Sequence, residues 1–286
     1  FIYSFSSKED LYTEKLKEKV STFRNVYSKS DLEIVQVARA DEIDIAIDLM
    51  GYSQNNRMNI FSYRVAPIQI NYLGYPSTTG SSKIDYLIAD KIVIPESFNK
   101  YYSEKIIYMP NCYMPYDNNR KITKKKYSRN ELGLPDDAFI LAALHKNYKI
   151  TNQEIIIWSR ILAKIPNSII WISDLNNDVK SNLLSCFSNQ GINSERIHFA
   201  KRTNYIDDHL ARHLCADLFL DTFNYNAHST AIDCLWSGLP LVTLLGKSFC
   251  ARVSASLLST LNLSELIAKD FNHYEKIVVN LSKDSN

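Results

Sequence analysis

The feature that most restricts the fold is the alternation of short apolar runs with polar stretches whose apolar residues recur at helical spacing. Such runs are buried on both faces, and the way a chain achieves this is a parallel sheet crossed by helices. Residues 1–5, 43–49, 68–73, 86–89 and 106–109 read as strands, with a helix over 11–23 after the first. Further on, 139–144, 168–172, 197–199, 218–221 and 241–244 read the same way, with helices around Leu183, Leu210, Leu235 and Leu257. Thr151-Asn152-Gln153-Glu154 has the form of a capping box, opening a helix that runs through Trp158 and Ile161 to Ala163. Between these halves the composition turns polar, with Asp117-Asn118-Asn119-Arg120 and Lys124-Lys125-Lys126. The expected organisation is an α/β lobe over 1–115, a solvated linker over 116–135 and a second α/β lobe over 136–286. Both lobes are expected to be doubly wound, with ligands beyond the C-terminal ends of the strands.

The 286 residues, 45% of them hydrophobic, are enough for two cores. Lys plus Arg number 33 against 31 Asp plus Glu, so no broad basic surface awaits a nucleic acid. Five cysteines without a C-x-x-C pair fit reduced thiols and a cytoplasmic location. No apolar run is long enough to cross a bilayer and no leader precedes Phe1, so no membrane partner is expected. The start, without Met and inside a strand, and the end soon after Leu281 read as a fragment cut at both ends.

Within 218–240 an apolar strand ends at Asp221 and a helix opens at His228-Ser229-Thr230. A helix start offers unpaired N–H groups and a partial positive charge, so it suits phosphate, with the hydroxyls of Ser229 and Thr230 as added donors. One turn on, Asp233 would repel phosphate and suits ribose hydroxyls instead. Lys149, in the loop after the strand over 139–144, lies at the same sheet edge. There it can neutralise the charge on a departing nucleoside diphosphate. Taken singly, the hydroxyls read equally well as plain caps, Asp233 as an acid favoured near a helix N-terminus, and Lys149 as a solvated amine. His209 and His213, at i and i+4, do not make a zinc site, because no Cys or further spaced ligand completes a set. His209 suits stacking on a base. In the first half, Gly74, Tyr75, Pro76, Thr78, Thr79 and Gly80 follow a strand directly, and their glycines and hydroxyls suit close approach of a substrate.

Taken together, these segments resemble the O-GlcNAc transferase and SPINDLY family of glycosyltransferases. The resemblance covers most of the chain. In the first half it is carried by Asp44 to Tyr52, Arg57, Ala66-Pro67-Ile68-Gln69, Leu73 to Gly80, Asp85-Tyr86, Asp90, Pro95 and Tyr102-Ser103-Glu104-Lys105. In the second it continues through Tyr148-Lys149-Ile150, Trp158, Pro166-Asn167-Ser168, Trp171, Leu220-Asp221-Thr222, His228-Ser229-Thr230 with Asp233, Leu235 to Thr243, and Arg252-Val253. The resemblance implies a GT-B fold, two Rossmann-like domains facing across a cleft, and an inverting transfer without metal or other cofactor. N-acetylglucosamine would move from UDP-GlcNAc to Ser or Thr of proteins. Lys149 would neutralise the diphosphate beside Lys146, and His228, Ser229 and Thr230 would hold it. Asp233 would bind ribose, and His209 with Arg212 would frame the uracil. The loop 73–80 would stand on the acceptor side, and tetratricopeptide repeats would lie upstream.

The chain departs from the family pattern at several places. Lys146 stands where a Gln is typical, Ile206 where a ribose-contacting Lys is found, Arg39 where a His is common, and Ser229 replaces a Thr. The stretch expected to carry another active-site His is absent. These changes leave open a GDP-fucose donor, as in SPINDLY-like fucosyl transfer, and a decayed relative that only binds partners. A nucleotide-sugar epimerase on the same fold is the reading from another enzyme class.

Overall fold

A computed structural model describes residues 1–283 and divides the chain into two compact units. The first comprises Phe1–Ala89 and Ser97–Tyr108; the second comprises Asp90–Glu96 and the chain from Met109 onward.

In the first unit, β1 (Ile2–Ser4) and β2 (Phe23–Asn25) pair in parallel around α1 (Leu11–Lys19). The helix expected to reach residue 23 ends at Lys19, because Val20 is extended and Phe23 already begins β2. A run of Val, Ser, Thr and Phe favours strand over a further helical turn. Next come α2 (Asp31–Ala40), β3 (Ile45–Asp48), α3 (Asn59–Ser62), β4 (Ile68–Asn71), β5 (Tyr86–Ala89) and β6 (Lys105–Tyr108). Ser30 and Glu33 close a capping box at the start of α2, whose Ile34, Val35 and Ala38 enter a small core with Ile60, Phe61 and Ile84. The sheet runs β3-β4-β5-β6 in sequence order, all parallel. Beside it, β1 and β2 form a separate parallel pair.

The second unit has a sheet wound in both directions. Its elements are β7 (Phe139–Ala143), α4 (Asn152–Lys164), β8 (Ser168–Ser173), α5 (Asn177–Asn189), β9 (Ile197–Ala200) and α6 (Ile206–Arg212). The second half adds β10 (Leu218–Leu220), α7 (Ser229–Trp236), β11 (Leu241–Leu244), α8 (Val253–Thr260), β12 (Ile267–Ala268) and α9 (Phe271–Leu281). Sheet order is β12-β11-β10-β7-β8-β9, so the winding reverses between β7 and β10. Loops leaving those two neighbours diverge to opposite faces and leave a crevice at their C-terminal ends, the usual ligand position in such sheets. Both tryptophans that the sequence places at helical and strand core positions, Trp158 and Trp171, are fully buried.

The stretch 116–135 is not a solvated linker. Tyr116, Tyr127 and Leu132 pack on the core of the second unit, and the Arg129 guanidinium donates to both oxygens of Asp217 at 2.8 Å. Within it, the polar runs 117–119 and 124–126 stay exposed as the charge pattern suggests.

Candidate functional site

The crevice between β7 and β10 is built around a buried carboxylate. Asp221 follows β10 directly and is fully buried. Its Oδ1 accepts from the amides of Thr222 at 2.9 Å and Ala227 at 2.6 Å, and its Oδ2 accepts from the Thr243 hydroxyl at 2.6 Å. The bond from Ala227 folds 222–227 back on itself, and the Asn226 side chain tightens the loop by donating to the Thr222 carbonyl at 2.7 Å. Burial lifts the Asp221 carboxyl to about 6, although these hydrogen bonds and Lys149 pull it down. Glu154 ties the neighbouring element in. One of its oxygens closes the capping box with the Thr151 amide at 2.7 Å, and the other accepts from the Phe223 amide at 2.8 Å. A motif that starts α4 thus also anchors the loop after β10.

Lys149 sits in a short turn between β7 and α4. Its Nζ donates to the Asn226 carbonyl at 2.7 Å and lies 4.2 Å from the centre of the Tyr225 ring. Burial lowers its pKa from 10.5 to about 8, with Asp221 offsetting part of the effect. Lys146, in the same turn, is exposed. His145, between β7 and this turn, lies outside the sequence expectations. Its Nε2 bonds the Leu220 carbonyl at 2.7 Å, bridging the two strands of the crevice, and burial holds its pKa at about 4.

At the start of α7, His228 is the cap residue but contributes no side-chain cap. The Ser229 and Thr230 amides therefore keep their donors for a ligand. The ring of His228 stacks on Tyr225 at 4.7 Å and its Nε2 bonds the Cys250 carbonyl at 3.2 Å. Since a carbonyl only accepts, Nε2 carries the proton and Nδ1 is bare. Burial pushes this ring down to about 4, and the Lys149 charge adds to the effect, so it is neutral at pH 7. An anion brought to this position would therefore meet the amides, the Ser229 and Thr230 hydroxyls and Lys149, rather than an imidazolium.

Asp233 is 8% exposed and its Oδ1 accepts from the Tyr116 hydroxyl at 3.1 Å and from Arg120 at 2.8 Å. Burial raises its pKa, and these two partners oppose the rise. On α6, Arg212 reaches back to the Lys201 carbonyl at 2.6 Å, just past β9, and donates to His209 Nδ1 at 2.8 Å. A guanidinium cannot accept, so His209 is neutral with its proton on Nε2, where it can donate to a carbonyl of a base. Burial first, then His213 and Arg212, depress its pKa to about 3. Among the described residues no three His, Cys, Asp or Glu side chains gather in a metal-holding group.

Lys149, Lys146, His228, Ser229, Thr230, Asp233, His209 and Arg212 all lie in the second unit, on segments that follow β7, β9 and β10. The loop with Gly74, Tyr75, Pro76, Thr78, Thr79 and Gly80 lies in the first, and its two threonines turn inward. Glu104, almost fully buried, accepts from the Thr78 hydroxyl at 2.7 Å, from the Thr79 amide at 2.6 Å and from the Thr79 hydroxyl. Burial alone would raise the Glu104 carboxyl; the threonine bonds outweigh it and hold it low. The close approach that Gly74 permits is to the chain itself, since a Cβ there would stand 2.0 Å from the Leu49 carbonyl oxygen. Arg39 binds the carbonyls of Tyr63 and Arg64. Asp221, Glu154, His145, Tyr116 and Arg120 organise the second unit's site beyond what the sequence motifs assign to it. A polar residue ending an apolar run or closing a cap is the signal that marks the first three; Tyr116 and Arg120 carry none.

Known proteins share this chain's pattern over nearly its whole length. The glycosyl transferase family 41 model matches residues 1–126 and 117–286. The chain is 32% identical to the probable UDP-N-acetylglucosamine–peptide N-acetylglucosaminyltransferase SEC of Arabidopsis thaliana, over 99% of its own length and 30% of that protein's. Against SPINDLY of the same plant, a probable enzyme of the same name, identity is 28% over 99% of this chain and 31% of the relative. It therefore spans under a third of the curated relatives it matches. A mutant of the Thermobaculum terrenum O-GlcNAc transferase superposes with a TM-score of 0.88 at 26% identity, covering 99% of this chain and 54% of that one.

Proposed function

The chain belongs to glycosyl transferase family 41, and from that premise we propose that it forms the catalytic region of an inverting protein O-GlcNAc transferase that needs no metal. The fold is GT-B in class, with each unit built on parallel sheet. The substrate pair is UDP-N-acetylglucosamine and a Ser or Thr hydroxyl of a protein. The single observation that carries the reading is the half-buried Lys149 amine beside the open amides at the start of α7.

In the proposed reaction the acceptor oxygen attacks C1 of the sugar while the bond from C1 to the diphosphate oxygen breaks. The acceptor proton leaves to a base, and configuration at C1 inverts. Two negative charges then concentrate on the β-phosphate of UDP. Lys149 places a cation there, and the Ser229 and Thr230 amides aim donors along the helix dipole, so both act most strongly as charge develops. His209 Nε2–H meets a base carbonyl, and Asp233 accepts from ribose. Lys146, being exposed, acts as a second, screened cation toward the diphosphate. The groups of loop 73–80 face the acceptor through backbone and ring surfaces, since the threonine hydroxyls are engaged with Glu104.

The test is transfer from labelled UDP-GlcNAc to a protein acceptor by the full-length protein, in excess chelator, with the anomer of the product read by NMR. A β-linked product is expected, with no loss on chelation. Transfer only from GDP-fucose would replace the donor assignment, and release of free sugar epimer without acceptor would replace the reaction class. A protein that binds neither UDP nor GDP would end the transferase reading.

A further inference from the structure

The segment just before the second unit's first strand is fastened to α7 by several contacts. Tyr116 OH and Arg120 Nη1 both donate to Asp233 Oδ1. The Tyr116 ring packs against Trp236 at 5.3 Å, and the Trp236 indole donates to the Arg120 carbonyl at 3.2 Å. Asp233 and Trp236 are three apart and share one helix face, so the strap lies along a single stripe of α7. The Arg120 guanidinium also stacks on Tyr116 at 5.1 Å, and its charge is felt at His209. Arg120 thus stands near two groups assigned to the nucleotide, one from α6 and one from α7.

The two donors converge on one oxygen. Among the described residues, Asp233 Oδ2 has no protein partner, and it retains access to solvent although the residue as a whole is buried. A carboxylate with one oxygen pinned by a phenol and a guanidinium has little freedom of rotation, and both partners oppose the rise in its pKa that burial causes. A buried carboxylate without such partners turns toward its neutral form and loses its value as an acceptor.

We propose that Tyr116 and Arg120 are positioning residues for the nucleotide's ribose: they hold Asp233 Oδ1 so that Oδ2 accepts from a ribose hydroxyl. This rests on the donor reading above and adds to it that sugar recognition is set by a strap outside the helix that carries the carboxylate. The strap acts on the carboxylate that faces ribose, and the diphosphate is left to Lys149 and the α7 amides.

Calorimetry on the full-length protein tests this with UDP, 2′-deoxy-UDP, 3′-deoxy-UDP and pyrophosphate, with the guanosine set in parallel. The wild type is expected to prefer UDP over one deoxy analogue by about tenfold or more, the scale of a hydrogen bond to a charged group. Asp233→Ala abolishes that preference. Arg120→Ala and Tyr116→Phe each lower it several-fold, and neither lowers it further in the Asp233→Ala background, as coupled residues require. Arg120→Lys recovers part of it, and pyrophosphate affinity is unchanged throughout. Tyr116→Phe keeps the ring packing, so it reports even where Arg120→Ala perturbs the fold. A full deoxy preference in Arg120→Ala and Tyr116→Phe, or parallel losses of UDP and pyrophosphate, overturns the inference. If the wild type binds UDP or GDP with no ribose preference, the inference fails and the donor reading stands. If it binds neither, the donor reading falls first and takes the inference with it.

Discussion

Replacing Lys149 by methionine keeps the aliphatic stem and removes the charge. The structure sets the size of the effect. A fall from 10.5 to about 8, at about 1.4 kcal/mol per pH unit, means that the empty site disfavours the ammonium by about 3 kcal/mol. At pH 7 an amine that titrates near 8 is already mostly protonated, so a diphosphate meets a formed cation held where burial leaves it poorly solvated. A hydrogen bond from a charged group is worth about 1.5 to 3 kcal/mol, so losing it lowers UDP affinity near pH 7 by about one to two orders of magnitude. Turnover falls by a further factor of about 10² to 10³, because charge on the leaving diphosphate peaks in the transition state. The same arithmetic gives an opposite sign for stability. With the penalised cation gone, the unliganded protein does not lose thermal stability, although the Asn226 carbonyl loses a donor. The assays are calorimetric UDP titration, steady-state transfer and thermal unfolding of the same Lys149→Met preparation. UDP affinity and turnover within fivefold of wild type, in a protein of unchanged Tm, would show that this amine carries no diphosphate and exclude the role assigned to it.

Because the free amine titrates near 8 and must be protonated to hold an anion, UDP affinity in the wild type should fall about tenfold per pH unit above 8. In Lys149→Met the profile should be flat across the same range, checked by titration from pH 7 to 10. His145, His213 and His228, depressed to about 4, and His209, to about 3, are buried neutral. Their folded pKa lies below the unfolded 6.5, so their contribution is complete above pH 6.5 and is lost as pH falls through 4. His145 alone accounts for about 3 kcal/mol. Asp221, raised to about 6 from 3.8, runs the other way over 6 to 4. Four histidines outweigh one carboxylate, so urea midpoints should drop steadily from pH 6.5 to 4; a flat profile would refute this balance. Glu104→Ala leaves the Thr79 amide and hydroxyl buried without their acceptor, and should cost about 2 to 4 kcal/mol of stability with faster hydrogen exchange at Thr79.

Much of the site is legible in the sequence because the chemistry sits at element ends. Thr151 to Glu154 has the spacing of a helix start, and it caps α4 as expected. The run ending at Asp221 and the polar opening at His228 mark a strand–loop–helix unit, and the strand and helix fall there. Such local patterns depend on residues a few positions apart, which is the range over which capping and periodicity act. The boundary of the units and the stretch 116–135 depart from expectation for the opposite reason. Arg129 looks like one more surface charge until Asp217, far along the chain, meets it.

Residue pattern alone dictates that this chain forms two parallel α/β units, since apolar runs alternating with amphipathic helices have no other economical way to bury both strand faces. Pattern also dictates which residue types gather at the strand ends. Long-range packing, by contrast, settles that the winding reverses between β7 and β10 of the second unit. The same packing turns the hydroxyls of loop 73–80 inward to Glu104, makes His228 neutral, and brings Tyr116 and Arg120 onto Asp233 across more than a hundred residues. Protonation and hydrogen-bond partnership depend on burial and on neighbours that strand order supplies, and strand order is a long-range choice that no local pattern encodes.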